Sequence, residues 1–154
     1  MLWYLRSHSR CFFPLRDGGK TALYLAAYNG MAPVVVLLLG KKAVATHKNS
    51  ENGLDALGIA AKRGHDSICS ILIQHSIPSS TTDPAGRTPL MHAVRAKAAG
   101  CVAALVRHSK SSLELRDNYG MTALHYAVQQ KSTNVRFLAV CSWFTTYTSR
   151  PLER

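Results

Sequence analysis

Four times along the chain a glycine turn is followed by a polar residue, a leucine and a pair of small apolar residues. The segments read GKTALYLAA from Gly19, GLDALGIAA from Gly53, GRTPLMHAV from Gly86 and GMTALHYAV from Gly120. Successive glycines stand 34, 33 and 34 residues apart, a fixed period that marks one supersecondary unit used repeatedly. Leu23, Leu57, Leu90 and Leu124 open a buried face. The pairs Ala26-Ala27, Ala60-Ala61, Ala93-Val94 and Ala127-Val128 lie one turn later on the same face, at the spacing of an amphipathic helix. A second apolar stretch follows each first one: Val34 to Leu39, Ile68-Cys69 with Ile71 to Ile73, Cys101-Val102 with Leu105-Val106, and Val135 with Phe137-Leu138. Each unit is therefore predicted to be a pair of helices. Neither helix can hide its apolar face alone, so neighbouring units must stack into one continuous core.

The boundaries of these helices are written in the residues beside them. Thr21, Asp55, Thr88 and Thr122 stand where a side-chain oxygen accepts a hydrogen bond from the free N–H groups of a helix start. Pro89 and Pro33 fit first-turn positions, where the missing N–H costs nothing. Gly30 and Gly64 suit left-handed caps at the ends of the first helices. Lys97 and Lys131 occupy that place in the last two units, whose first helices are expected to end less cleanly. Gly58 inside a helix is expected to cost about 1 kcal/mol relative to alanine.

The pattern D-x-x-G-x-T-P-L-H-x-A-A, followed by G-H-x-x-V-V-x-L-L-L, resembles that of ankyrin repeats, whose period is close to the one seen here. Asp83 through Val94 and Asp117 through Val128 match its first half best, and Gly64-His65 matches its second. The resemblance covers residues 16 to 140. It implies an all-α ankyrin-repeat solenoid of about four helix-turn-helix repeats, spanning 16–49, 50–82, 83–116 and 117–140, joined by β-turn or hairpin loops. Residues 1–15 are then an N-terminal extension or cap, and 141–154 a divergent C-terminal tail. Tyr24, Gly58 and Met91 replace the pattern's histidine, which only His125 retains. The inter-helix hydrogen bonds that this histidine implies are not expected in the first three repeats.

Solenoid ends normally carry a polar outer face, whereas this chain has Leu2 to Leu5, Phe12 and Phe13 at the front and Val140 to Tyr147 at the back. Either both tails fold back as caps, or the chain is part of a longer array or larger protein; loss of register after Val140 favours the second. No stretch approaches the length of a membrane-spanning helix, and Arg6 and Arg10 interrupt the apolar start before a signal-peptide core can develop. Arginines 6, 10 and 16 with Ser7 and Ser9 leave an organelle-targeting segment as the less favoured alternative. The four cysteines are dispersed, without a C-x-x-C pair, which points to a reduced, intracellular and most simply cytoplasmic setting, with the nucleus as an alternative.

Candidate chemistry is sparse. His65 and Cys69 have the i, i+4 spacing of two metal ligands, but both fill repeat positions, and four ligands cannot be assembled around them. Cys101, also at a core position, reads as a small buried hydrophobe. Asp83 and Asp117 are turn residues. With eight acids in the chain and no nucleophile elbow, Walker loop or H-E-x-x-H segment, neither catalysis nor a cofactor is expected.

Charge changes the picture. Nineteen Lys and Arg against eight Asp and Glu give a formal net charge of +11, which attracts anionic partners. The resemblance implies a concave binding face of turn tips and first-helix ends. Here that face comprises Lys20, Tyr28, Asn29, Asn52, Lys62, Arg63, Arg87, Arg95, Tyr119, Met121, Gln129 and Gln130, with Glu51, Leu54 and Asn118 among them. Its middle is expected to be basic and its fourth-repeat end aromatic and amide-rich. The expectation is a protein-binding module for an acidic or phosphorylated segment, with Arg63, Arg87 and Arg95 pairing carboxylate or phosphate. The alternatives are the regulatory or targeting arm of a larger protein, such as a kinase, or, less favoured, a nucleic-acid-binding protein with steep salt dependence.

Overall fold

Each predicted cap sets the start of a helix. Thr21 Oγ1 accepts from the N–H of Tyr24 at 3.1 Å, Asp55 Oδ1 from Gly58 at 2.7 Å, Thr88 Oγ1 from Met91 at 3.3 Å and Thr122 Oγ1 from His125 at 3.4 Å. In the computed structural model, which describes residues 18–109 and 113–130, the helices that follow are α1 (Ala22–Tyr28), α3 (Ala56–Arg63), α5 (Pro89–Arg95) and α7 (Ala123–Gln129). Three partners run behind them: α2 (Ala32–Gly40), α4 (Asp66–Gln74) and α6 (Ala99–His108). Among the described residues there are seven α-helices and no strand. The expected terminal segments 1–15 and 141–154, the cap position Lys131 and the last apolar stretch around Val135 lie outside these residues.

The helices form two layers. In one, α1 packs on α3, α3 on α5 and α5 on α7; in the other, α2 packs on α4 and α4 on α6; each pair is closed by α1 on α2, α3 on α4 and α5 on α6. Leu23, Leu57, Ile59, Leu90 and Met91 fill one side of the shared core, and Val35, Ile68, Leu72, Val102 and Leu105 the other. The small pairs Ala26-Ala27, Ala60-Ala61 and Ala93-Val94 are buried, which lets successive first helices approach closely. Two apolar expectations are corrected. Val128 is 59% exposed, because α7 packs chiefly on α5 and no described helix covers its other side. In α2 only Val35 is fully buried, while Val34, Val36 and Leu37 face outward; a continuous apolar run cannot turn every side chain inward when one face of the helix is occupied.

Hairpin loops tie the units edge to edge. Asp83 closes its loop by donating its N–H to Arg87 O while its Oδ1 accepts from the N–H groups of Ala85 and Arg87; Asp117 repeats this with Met121 and Tyr119. Asn49 holds the corresponding place ahead of Asp55, donating to Leu54 O, in a loop one residue longer. Asn118 then donates from its backbone to Ala85 O and from its amide to Pro84 O, and Ser50 donates twice to Gly18 O. Gly53 and Gly86 have positive φ angles of 65° and 76°, and a Cβ at either would collide with Pro84 or Asn118 of the next loop.

The expectation of a loose end at Lys97 is overturned. Lys97 takes φ 59°, and the closing bonds form as they do behind Gly64: Ala98 N–H to Ala93 O at 3.0 Å and Lys97 N–H to Val94 O at 3.0 Å. Packing of α6 on α5 holds the geometry, and the lysine bears the cost of a left-handed backbone. The Tyr24 substitution also differs from expectation. Its hydroxyl accepts from the Asn52 amide at 2.7 Å, so the first repeat does make a side-chain bond to the second, through a phenol instead of an imidazole. His125 bonds at home, accepting at Nδ1 from the Thr122 N–H in a capping box.

Candidate functional site

The first helices end side by side on one face, so residues about a period apart become neighbours. Lys62 at the end of α3, Arg87 in the loop before α5, Arg95 at the end of α5 and Gln130 after α7 converge with His92 and Ala96 around a pocket of about 370 Å³. Four of the twelve expected binding residues therefore share one concavity.

Charge in this pocket is less free than the sequence suggests. Arg87 donates from Nε to Asp83 Oδ2 at 2.9 Å, and its Nη2 lies 2.9 Å from the same oxygen. One edge of that guanidinium is thus committed to the loop. Burial alone would raise the Asp83 carboxyl, but the Arg87 N–H, its guanidinium and its charge hold it below the usual range. The neighbouring His92 is buried, and its Nε2 lies 3.1 Å from Asp83 Oδ2. Desolvation outweighs the carboxylate and lowers the imidazole to about 4, with Arg87 and Lys62 acting in the same direction. At neutral pH His92 is therefore uncharged and donates from Nε2 to Asp83, leaving Lys62, Arg87 and Arg95 as the cations that line the pocket.

Sequence reasoning missed His92. It stands one residue after the pattern's histidine, where the first two repeats have Leu25 and Ile59 and the fourth has Tyr126. Tyr126 uses its hydroxyl in the same way, donating to Asp117 Oδ2. That hydrogen bond raises the phenol; together with the Tyr119 and Met121 N–H groups it lowers Asp117 against the effect of burial. A polar residue at a position that is aliphatic in the first two units was the available signal.

The remaining expected residues separate into distinct settings. The Arg63 guanidinium stacks over the Tyr28 ring at 3.9 Å, and Arg95 stands 5.7 Å from the Tyr126 ring; both remain exposed, so stacking orients their charge without neutralising it. Lys20 is paired with Glu51 at 3.1 Å. Asn52 is occupied within the fold by Tyr24 and by the Leu54 N–H. Asn29 is exposed at the end of α1. Met121 and Gln129 line a second, apolar pocket of about 370 Å³ with Leu124, His125 and Val128. Tyr119 projects from its loop at 78% exposure.

The other candidate chemistry resolves into structure. His65 Nε2 lies 3.1 Å from Tyr28 O, while the Cys69 sulfur faces Cys101, so the two side chains do not point at a common centre. Among the described residues no three His, Cys, Asp or Glu side chains are grouped as metal ligands, and no helix is long and apolar enough to cross a membrane.

Helix pairs repeated at a fixed period, stacked in two layers and joined by hairpins, define a repeat solenoid. A family model described as ankyrin repeats (3 copies) matches residues 23–113 and again 57–143. The chain belongs to the ankyrin-repeat family, a family of generally non-catalytic modules that mediate protein–protein interaction. It is 34% identical over 115 residues to Rabankyrin-5 of Mus musculus, covering 74% of this chain and 10% of that protein. It is 32% identical over 120 residues to Ankyrin repeat domain-containing protein 63 of Mus musculus, covering 74% and 31%. Against the Nuclear factor NF-kappa-B p105 subunit of Gallus gallus the identity is 31% over 116 residues, covering 73% and 12%. The matched repeats thus span a tenth to a third of the length of these relatives.

Proposed function

We propose that this chain is a non-catalytic interaction module that seats an acidic or phosphorylated segment of a partner protein in the pocket between its second, third and fourth repeats. The observation that carries the reading is the convergence of Lys62, Arg87 and Arg95 on one pocket. Arg87 uses one edge for Asp83, and a guanidinium has further N–H donors for a carboxylate or phosphate. Arg63, stacked on Tyr28, extends the basic face toward the first repeat. Lys20 and Asn52 serve the fold first and have a minor part in this reading.

The test uses fluorescence anisotropy with two labelled peptide pools, one rich in Glu and phosphoserine and the other carrying Gln and Ser in their place. The wild-type chain should bind the acidic pool and not its neutral counterpart. The variant Lys62→Glu/Arg95→Glu changes two exposed side chains, so circular dichroism should be unchanged while affinity falls roughly tenfold or more. Equal binding of the acidic pool by wild type and variant would overturn the assignment.

A further inference from the structure

Two buried thiols meet where the second and third repeats join. Cys69 lies in α4 and Cys101 in α6, both fully buried, and their sulfurs are 2.8 Å apart. That separation is shorter than the roughly 3.5–4.0 Å at which even carbon atoms touch comfortably, and longer than the about 2.03–2.05 Å of a disulfide. Two thiols this close need only a small movement to reach bonding distance. The pair is also positioned by its surroundings: Asp66 of α4 accepts from the Cys101 N–H at 2.8 Å, which fixes the start of α6 against α4.

We propose that Cys69 and Cys101 form an oxidation site, at which a small peroxide converts the two thiols into a disulfide that fastens the second repeat to the third. In the first step one sulfur, as thiolate, attacks a peroxide oxygen. The O–O bond breaks, sulfur is oxidised to the sulfenic acid, and the peroxide is reduced to water when hydrogen peroxide is the oxidant. In the second step the other thiol attacks that sulfur, the S–O bond breaks, and the hydroxyl leaves with the thiol proton as a second water. The neighbouring sulfur and burial push the Cys101 thiol far above its ordinary range. Thiolate is therefore scarce in the closed state, and the reaction waits on local opening between α4 and α6. Oxidation is slow and the product, once closed over, is shielded from reductant.

The test uses the whole chain carrying Cys11→Ser and Cys141→Ser, so that these two cysteines are the only thiols. The protein is treated with dilute hydrogen peroxide under native conditions, denatured, alkylated and mapped by mass spectrometry. The expected product is one cross-linked peptide joining Cys69 to Cys101, released by reductant, with neither cysteine alkylated. Closing a loop over a separation of 32 residues should raise Tm by on the order of 10 °C over the reduced form. Adding Cys101→Ala should abolish the cross-link while circular dichroism stays unchanged. Recovery of both cysteines as alkylated thiols, or their separate oxidation to sulfinic acids, overturns the proposal.

Discussion

Acidification should weaken this fold through His92 before the carboxylates are protonated. The imidazole has an ordinary value of 6.5 and is lowered to about 4 in the folded chain. Between those two values the unfolded chain binds a proton at this site and the folded chain does not, so stability falls as pH drops. The contribution is fully present above about 6.5 and is lost progressively toward 4. Integrated over that interval, the loss is about 2 kcal/mol at pH 5 and approaches about 3 kcal/mol near pH 4. Asp83 adds its own loss only at lower pH, because its carboxyl is held below 3.8. Asp55 opposes the trend in acid, because burial raises its carboxyl. The measurement is therefore comparative: urea unfolding at intervals from pH 7.5 to 4.5, for the wild type and for His92→Leu, which places here an aliphatic residue like Leu25 or Ile59. The wild type should lose about 2 kcal/mol more than the variant between pH 7 and pH 5. Equal slopes in the two chains, or a His92 imidazole NMR signal, identified by its absence in His92→Leu, that titrates near 6.5 in the folded protein, would refute the reasoning.

Two further perturbations probe how the repeats are joined. Lys97→Gly should stabilise the protein by about 0.5–1 kcal/mol, since glycine accepts the left-handed backbone at the end of α5 and the gain is partly offset by its entropy when unfolded; thermal denaturation of the two chains measures this, and no gain would show that the lysine side chain compensates elsewhere. Asp66→Ala should destabilise by about 1 kcal/mol, because Ala98 gives α6 no side-chain cap and the Asp66 carboxylate supplies one from the preceding repeat. Urea unfolding, together with amide exchange at Cys101, reports it, and exchange at wild-type rates would show that the bond carries no weight.

How much of the architecture can be read from the residues follows from the range of the forces involved. Helix starts are local: Thr21, Asp55, Thr88 and Thr122 each act on an N–H three residues away, so their positions alone predicted the four first helices. The period is also a sequence property, and repeated units with one apolar face must stack. The binding face was legible only as a list. That Lys62, Arg87 and Arg95 share a pocket while Lys20 is paired with Glu51 and Asn52 is used by Tyr24 depends on side chains about one period apart, and no local pattern records which of several neighbours a long polar side chain reaches.

The sequence by itself determined the unit, its period, its caps and the small residues that let units approach, since each of these acts over one or two helical turns. Only the tertiary structure decided which charges stay available, that His92 is buried and neutral against Asp83, that Asp66 caps a helix in the next repeat, and that Cys69 meets Cys101. Those outcomes arise where separate units touch. There burial and charge are set by what the neighbour presents, which distance along the chain does not encode.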